Sequence, residues 1–376
     1  MSTPASDAFR YAHAHRHEIA WLSQNTNHLV PPEIVRSAIE SAVRDRRYEG
    51  YPFASGDPEL VEAIAKDFDA ARYGIAPFLT GGGTEALYMT TRALLASGDE
   101  VIASDPSYLI IHRFIDLCGA APRNLDIYTP PYRLTADRIQ AAIGPRTRMI
   151  LLIDPLNPLG SGYPREEVRA IAEIAHDHHL TLLNDVTYRD FSDGHALAAE
   201  FAPEETVTVW SVSKNCGLAG LRLGGFFARP ELYQKIARFN TNDLGVNVLS
   251  QAAALAALRT KPQWIGGVVR QTRANGARIR DVVADVPGAS LPVYPSRANM
   301  MVIDIAPTGV RPEAVQDEML RRHGVFVRAG NYLSPTHGGR FVRVSFSNPP
   351  ADIERFAAAF PVTIKNLAAA SAGRTG

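Results

Sequence analysis

Short apolar runs alternate with amphipathic stretches along most of the chain. From about residue 76, β-branched or apolar segments predict six strands, at 78–80, 101–104, 149–154, 180–185, 206–211 and 223–228. Helical periodicity fills the gaps, as in PREEVRAIAEIAHDHH at 164–179. Strands that alternate with helices predict an α/β fold, in which a mostly parallel sheet carries helices on both faces.

The two ends of the chain follow other patterns. Pro31-Pro32-Glu33 opens a helical stretch, and a long helical pattern near 262–286 leads to three further strands, at 299–305, 325–329 and 341–347. We therefore expect four segments, which are an N-terminal arm and helix over the ligand site at 1–40, a large ligand-binding domain at 41–275, a smaller α+β domain at 276–365 and a frayed tail at 366–376.

Composition excludes several classes of protein. The chain has 376 residues, 46% of them hydrophobic, and a formal net charge of +0, which argues against nucleic acid or an anionic membrane as the main partner. Two cysteines do not make a disulfide framework. The sequence has no apolar run of ~20 residues and no signal-peptide core at its start, so we expect a cytoplasmic protein.

Lys214 carries the strongest chemical signal. Ser211 lies three residues before it and Arg222 eight after it, with glycines between, which places an amine beside an anion-binding cluster. A phosphate held there would leave the amine free to form an imine with an aldehyde of the same molecule, and pyridoxal phosphate (PLP) carries both groups. The structural alternative is a strand end with a surface serine and lysine.

Polar and aromatic side chains follow four other predicted strands. They are Gly83 and Thr84 in a glycine-rich turn that opens a helix, Tyr108, Asn157, and Asp185 with Tyr188. Helix N-termini bind anions, and a carboxylate at a buried strand end needs a partner such as a protonated pyridine nitrogen. Ligands bind at the carboxyl ends of parallel strands, so we expect these groups to meet there. Taken singly, each has a structural explanation as a turn, cap or half-buried residue.

Two arginines of the C-terminal strands are candidates for substrate binding. Arg343 lies in an alternating strand, and Arg328 lies in GVFVRAG. An arginine that points into a cleft from a second domain suits bidentate capture of a carboxylate. The alternative for each is a surface strand arginine.

These residues, in this order, resemble the fold-type I PLP enzymes, and specifically the class I/II aminotransferases, over residues 22 to 347. The resemblance implies that Lys214 is the Schiff-base and proton-shuttling lysine and that Asp185 pairs with the pyridinium nitrogen. It implies that Asn157 and Tyr188 contact the ring phenolate and that Tyr108 stacks on the ring. The remaining implied roles are phosphate binding by Gly83, Thr84, Ser211, Ser213 and Arg222, carboxylate binding by Arg343, and contact of Tyr51 with the phosphate of a neighbouring subunit in a homodimer.

The N-terminal segment LSQNTNHLVPPEIVRSAI is similar to the start of histidinol-phosphate aminotransferases, although Asn25-Thr26-Asn27-His28 replaces their Asn-Glu-Asn-Pro. Asp185-Val-Thr-Tyr188-Arg-Asp-Phe also replaces the usual Asp-Glu-x-Tyr. Both departures resemble the PLP- and O₂-dependent arginine oxidases and hydroxylases of natural-product pathways. This resemblance implies a catalytic histidine, His28, over the cofactor and an acidic residue, Glu18, for a guanidinium. The structural alternative for His28 is a loop histidine.

Three functions remain open at the level of the sequence. The first is O₂-dependent oxidation or hydroxylation of a basic amino acid such as L-arginine through a quinonoid intermediate, with O₂ as co-substrate. The second is an aminotransferase of the histidinol-phosphate, aromatic or aspartate type. In both, Arg343, Asn157, Arg328 and Glu18 are the substrate-binding candidates, and no metal is expected. The third is a PLP-binding regulator, which the absence of a DNA-binding module disfavours.

Overall fold

A computed structural model of the protein describes residues 4–372. Its strands are β1 Ala20–Trp21, β2 Ala76–Thr80, β3 Glu100–Asp105, β4 Ala121–Asp126, β5 Thr147–Ile153, β6 Thr181–Asp185, β7 Thr206–Ser211, β8 Gly224–Ala228, β9 Met300–Asp304, β10 Val325–Phe326, β11 Arg328–Ala329 and β12 Phe341–Ser345. Its α-helices are α1 Pro4–Ala14, α2 Pro32–Arg44, α3 Pro58–Asp67, α4 Ala70–Tyr73, α5 Gly83–Leu94, α6 Ile110–Leu117, α7 Ala136–Ala142, α8 Arg165–Asp177, α9 Val212–Asn215, α10 Pro230–Ala237, α11 Val248–Ala284, α12 Pro312–His323 and α13 Pro350–Ala372.

The central sheet has seven strands in the order β2-β8-β7-β6-β5-β3-β4. Pairing is parallel from β7 through β6, β5 and β3 to β4, whereas β8 runs antiparallel to both of its neighbours. Both faces of the sheet are buried, since consecutive residues such as Val101, Ile102 and Ala103 of β3 all belong to the apolar core, as is typical of strands with almost continuous Val, Ile and Leu. The predicted α/β class, with a mostly parallel sheet between helices, is confirmed.

The sequence pattern did not predict the edge strand β4. Its sequence is APRNLD, and four of its six side chains are exposed. An edge strand has one neighbour and little apolar cover, so it lacks the apolar run that marks a central strand. Pairing with β3 over six residues, from Glu100 opposite Ala121 to Asp105 opposite Asp126, holds it in the sheet.

The C-terminal strands form a second, antiparallel sheet in the order β11-β12-β9. β1 pairs in parallel with β10, so the N-terminal segment attaches to this region by backbone hydrogen bonds. Phe9 of α1 packs against Phe326 with ring centroids 5.1 Å apart. α13 continues to Ala372, so residues 366–372 of the segment expected to fray are helical. The domain limits at 41–275 and 276–365 stay predictions.

Two predicted elements differ in extent from the structure. The helical pattern near 262–286 belongs to α11, which begins at Val248 and continues through Pro262. The strand expected at 325–329 is divided into β10 and β11, which belong to different sheets. None of the helices between residues 4 and 372 combines the length and the apolar character that a membrane crossing requires.

Candidate active site

A cleft of about 730 Å³ lies at the carboxyl edge of the central sheet and extends to β11 and β12. It is lined by residues that the sequence places at five different strand ends. The predicted site residues on its wall are Gly83, Thr84, Tyr108, Asn157, Asp185, Tyr188, Ser211, Ser213, Lys214, Arg222, Arg328 and Arg343. The fold therefore brings together twelve side chains or backbone positions that span most of the chain.

One end of the cleft is an anion cradle. The N-terminus of α5 opens at Gly83, and Gly82 before it takes a φ of 113°, a conformation that glycine adopts without strain. A Cβ on Gly82 would lie 2.5 Å from an Arg222 guanidinium nitrogen, so that cation lies directly over the turn. The hydroxyls of Ser211 and Ser213 lie 2.8 Å apart on the same wall. Free N–H groups, a guanidinium and hydroxyls suit a phosphate dianion.

Lys214 lies in the single turn α9, directly after β7. Its Nζ donates to the carbonyl oxygen of Gln24 at 2.7 Å. Burial lowers the pKa of Lys214 to about 7, with help from the cations Arg343 and Arg222, while Asp185 opposes the change. A lysine with this pKa presents a large neutral fraction near pH 7, which is the nucleophilic form of an amine.

Asp185 ends β6 and faces the cleft. Its Oδ1 accepts hydrogen bonds from the backbone N–H of Thr187 at 3.0 Å and from the Thr187 hydroxyl at 2.6 Å. Its Oδ2 has no hydrogen-bond partner among residues 4–372. Burial raises the pKa of this carboxyl group, although the Thr187 bonds and Lys214 lower it. A ligand N–H⁺ at Oδ2 would complete this site.

Arg343 is buried at the boundary between the sheets. It donates to Asn157 Oδ1 at 2.8 Å and to the carbonyl oxygen of Ser23, and its Nε has no partner within the described chain. Burial lowers its pKa to about 10, so it remains cationic near pH 7. No carboxylate of the described residues pairs with it. A buried guanidinium without an acidic partner is costly unless a ligand anion completes it.

Hydrogen bonds to neighbouring residues orient the polar groups of Asn157 and Tyr188. Because Asn157 Oδ1 accepts from Arg343, its Nδ2 remains available to donate toward the cleft. The Tyr188 hydroxyl accepts from Asn25 Nδ2 at 3.0 Å, which leaves the phenolic hydrogen for a second partner. Burial raises the pKa of Tyr188, so the phenol stays protonated near neutral pH. Two donors are therefore available for one acceptor atom of a ligand.

Three predicted site residues do not line the cleft. His28 is exposed, and its Nε2 lies 2.7 Å from the hydroxyl of Thr26, which does line it. Glu18 is exposed, and its hydrogen bonds are made by its backbone, whose N–H donates to the His15 carbonyl and whose carbonyl accepts from Arg355. Tyr51 is 82% exposed on the outer surface.

The N-terminal segment supplies contacts that sequence reasoning missed. The Ser23 and Gln24 carbonyls meet Arg343 and Lys214, and the Asn25 side chain meets Tyr188. Asn25 has a φ of 54°, and Asn299 donates to its carbonyl at 3.0 Å. Backbone carbonyls leave no residue-type signal in a sequence. In this segment the family resemblance singles out only His28 as a site residue, so the role of Asn25 was not predicted.

The wall matches pyridoxal phosphate at three separate points. The cradle suits the phosphate, the unpaired Asp185 Oδ2 suits the pyridinium N–H, and Asn157 with Tyr188 suits the ring oxygen. The Lys214 amine suits the aldehyde, and the half-buried Tyr108, whose hydroxyl lies 3.4 Å from that of Thr84, suits a ring face. Fold and site together define a PLP-dependent enzyme of fold type I.

The family follows from the comparison with known proteins. The family described as aminotransferase class I and II matches residues 17–360, and the chain belongs to that family. It is 30% identical, over 82% of its length and 80% of the relative's, to the arginine–pyruvate transaminase of Pseudomonas aeruginosa. It is 28% identical, over 84% of its length and 83% of the relative's, to the aspartate aminotransferase of Pyrococcus horikoshii.

Solved structures agree on the fold. An aminotransferase from Mycobacterium tuberculosis superposes with a TM-score of 0.84 at 24% identity, covering 97% of this chain and 99% of the other. The aspartate aminotransferase of Thermus thermophilus with maleate gives 0.80 at 25% identity, covering 96% and 97%. The predicted fold, family and PLP requirement are confirmed, and the relatives support aminotransferase chemistry rather than O₂-dependent oxidation of arginine.

Proposed function

We propose that the enzyme transfers the amino group of a free L-amino acid to a 2-oxo acid, and that its preferred substrates carry a second anionic group on the side chain. The observation that carries this proposal is the charge of the cleft wall. Four arginines line it, namely Arg222, Arg343, Arg328 and Arg113, and Asp185 is the one acidic residue on the described wall. A basic side chain would find no free carboxylate there.

Arg328 and Arg343 provide the geometry. They are directly opposite each other in the antiparallel pair β11-β12, so both side chains leave the same face of the sheet. Like charges in this arrangement destabilise a sheet, and Arg328 contributes to the lowered pKa of Arg343. Two facing guanidinium groups with no carboxylate between them suit a ligand that has two anionic groups.

Two aromatic rings hold the Arg328 side chain in place. Its guanidinium lies 3.9 Å from the ring centroid of Tyr332 and 4.7 Å from that of Phe9. These stacking contacts leave the N–H edge without an acceptor within residues 4–372. Burial lowers its pKa, which an incoming anion would reverse. Cation–π packing therefore fixes the side chain while the donors stay available.

The polar residues of the cleft wall have separate roles in the proposed reaction. PLP, when bound, supplies the electron sink for bond cleavage at the substrate α-carbon. Arg343 binds and orients the α-carboxylate, and Arg328 the distal anion. The neutral Lys214 Nζ takes the α-proton and returns a proton. Asp185 Oδ2 would hold the proton of the ring nitrogen, and Asn157 and Tyr188 would donate to the ring oxygen. The Ser23–Thr26 segment covers Lys214 and Arg343.

Oxidation of L-arginine by O₂ has less support. It relied on His28 and Glu18, and both lie off the cleft wall. A basic substrate is favoured by one observation, the 30% identity to an arginine–pyruvate transaminase. The dicarboxylate proposal has its own parallel, since the Thermus aspartate aminotransferase was solved with the dicarboxylate maleate.

The test uses the holoenzyme with L-aspartate, L-glutamate, L-arginine and L-leucine, each with 2-oxoglutarate or pyruvate. We expect kcat/KM to be highest for the acidic donors. Arg328→Met should lower it for these donors by roughly 10- to 150-fold, the worth of a charged hydrogen bond, and leave L-leucine unchanged. Arg321→Met is the matched control, because Arg321 also stacks on a ring, that of Tyr11, but its side chain is exposed.

Two results would contradict the proposal. A preference for L-arginine that survives Arg328→Met would assign a basic substrate. Consumption of O₂ with L-arginine, in the absence of any 2-oxo acid, would restore the oxidase hypothesis. An oxygen electrode and detection of the 2-oxo product separate the two.

We also propose that the active unit is a homodimer. Tyr51 and Phe53, two residues apart in the chain, are 82% and 67% exposed, which is unusual for large aromatic side chains. A partner subunit would cover them, and the Tyr51 hydroxyl would then reach the partner's anion cradle. Sedimentation equilibrium of the holoenzyme tests the assembly, and a monomer would exclude it.

A further inference from the structure

A buried cluster of charged side chains lies behind the cleft and has no part in the chemistry described so far. We call it the rear ion network. Its members are Asp67 at the end of α3, Arg189 and Asp190 after β6, Asn215 at the end of α9, and Lys261 on α11.

Lys261 is the centre of the rear ion network. Its Nζ lies 2.9 Å from both carboxylate oxygens of Asp67 and 2.9 Å from Asp190 Oδ1. Arg189 donates to the carbonyl oxygen of Asp67 at 3.0 Å and to its carboxylate, and its guanidinium lies 3.7 Å from the centroid of the Phe68 ring. Two acids and two bases give a formally neutral cluster, which suits its burial.

Asn215 connects this cluster to the catalytic lysine. Its Nδ2 donates to Asp190 Oδ2 at 2.6 Å, and its Oδ1 accepts from the backbone N–H of Cys216 at 2.8 Å. Its carbonyl oxygen accepts from Asn27 at 2.9 Å, so the N-terminal segment is attached at the same point. Asn215 is the residue after Lys214, and every one of these contacts therefore constrains the lysine backbone.

The network also holds the segment that carries Tyr188. Arg189 and Asp190 follow Tyr188 immediately and begin a single 3₁₀ turn. Neither this turn nor the four-residue α9 has enough internal hydrogen bonds to be rigid alone. α3 and α11 are ten and 37 residues long and supply the fixed partners, Asp67 and Lys261.

We propose that Lys261 and Asp190 are positioning residues for the reaction: through Asn215 they fix the distance between the Lys214 amine and the Tyr188 hydroxyl. The charges themselves support a fixed arrangement. Burial alone would raise the pKa of Asp190, but the cations Arg189 and Lys261 and two side-chain hydrogen bonds hold it below its usual value, so the carboxylate stays ionised. This inference rests on the assignment of Lys214 as the cofactor lysine.

The experiment compares four variants of the holoenzyme. Asn215→Ala removes the link and leaves all four charges paired, and Lys261→Met removes the centre of the network. Arg259→Met is the matched control. Arg259 lies two residues before Lys261 on the same helix, and the variant breaks its exposed 2.9 Å pair with Glu59. Lys261→Arg retains the charge and serves as the rescue variant.

We expect Asn215→Ala to lower kcat by roughly 100-fold, the cost of misplacing a reacting group by about 1 Å, with KM for the amino donor changed less than about threefold. The pH titration of the visible band of lysine-bound PLP should move by about half a unit or more. Hydrogen–deuterium exchange of apo-protein peptides that cover 211–217 should speed up. Arg259→Met should match the unaltered protein, and Lys261→Arg should stay closer to it than Lys261→Met.

An Asn215→Ala variant with normal kcat, titration and exchange would overturn the positioning role. If Lys261→Met fails to fold, Asn215→Ala decides alone, since it leaves the charges balanced. Borohydride reduction and peptide mass mapping check the premise separately. A label on another lysine would overturn the assignment of Lys214 and this inference together, whereas a label on Lys214 with unchanged kcat, titration and exchange in Asn215→Ala would overturn this inference alone.

Discussion

The lowered pKa of Lys214 predicts a specific pH dependence of stability in the apo-protein. The perturbation is Lys214→Met, which replaces the amine by an apolar chain of similar length. A drop of the pKa from 10.5 to about 7 corresponds to a folding cost of about 5 kcal/mol at 1.36 kcal/mol per unit. Because Lys214 lies on the wall of an open cleft, water screens part of this cost, and 5 kcal/mol is an upper bound.

The direction follows from proton counting. Between the folded pKa of about 7 and the ordinary value of 10.5 the unfolded chain binds more protons at this lysine than the folded chain does. The free energy of unfolding therefore rises with pH in that window. Below it the full cost is present, and above it the cost is gone. The methionine variant lacks this contribution, while every other titrating group is common to both proteins.

The assay is urea unfolding of both apo-proteins at about pH 7.5 and about pH 9, at one fixed protein concentration because subunit dissociation couples to unfolding. The advantage of the methionine variant should shrink by about 1 to 2 kcal/mol between the two pH values, the upper figure being 1.5 units at 1.36 kcal/mol per unit. A stability difference that does not change with pH would show that Lys214 titrates near its ordinary value, and the argument from burial would be refuted.

Three further predictions concern the cofactor. Gly82→Ala forces a side chain into the space of the Arg222 guanidinium at a φ of 113°, so PLP affinity should fall by roughly 10-fold or more, as measured by dialysis and absorbance; unchanged affinity would remove Arg222 from the cradle. Asp185→Asn should lower kcat by roughly 10²-fold or more and retain the bound cofactor, and equal activity would exclude pairing with the ring nitrogen. Because we propose that the Tyr51 hydroxyl reaches the partner's cradle, Tyr51→Phe should weaken PLP binding by about 10-fold. Titration of the apo-protein with PLP measures this, and unchanged binding would contradict the contact.

Much of the fold and cofactor site could be predicted because their signals are local. Buried parallel strands need continuous apolar runs, and the glycine-rich turn before α5 needs residues that tolerate positive φ. The groups of the candidate PLP site are amine, carboxylate and similar polar side chains at or just after strand ends, as Lys214 and Asp185 are. Edge strand β4 escaped prediction because its exposed residues have no such pattern.

The substrate-facing wall could not be predicted in the same way. Sequence pattern placed Arg343 and Arg328 on strands but gave no pairing, and only the register of β11 with β12 puts them opposite each other. The family resemblance also implied active-site roles for His28 and Glu18. Backbone hydrogen bonds from β1 to β10 and from His28 to Ser347 direct the N-terminal segment so that Ser23, Gln24 and Asn25 reach the cleft instead.

The sequence alone determined which chemical groups are present and that they follow strand ends, because strand, turn and helix signals depend on neighbouring residues. It thereby determined an α/β PLP enzyme and made Lys214 the candidate for its amine. Tertiary structure alone decided which distant charges meet. Asp67 and Lys261 are 194 residues apart in the chain and 2.9 Å apart in space. Such pairings arise from the packing of whole helices and sheets, which no local pattern encodes.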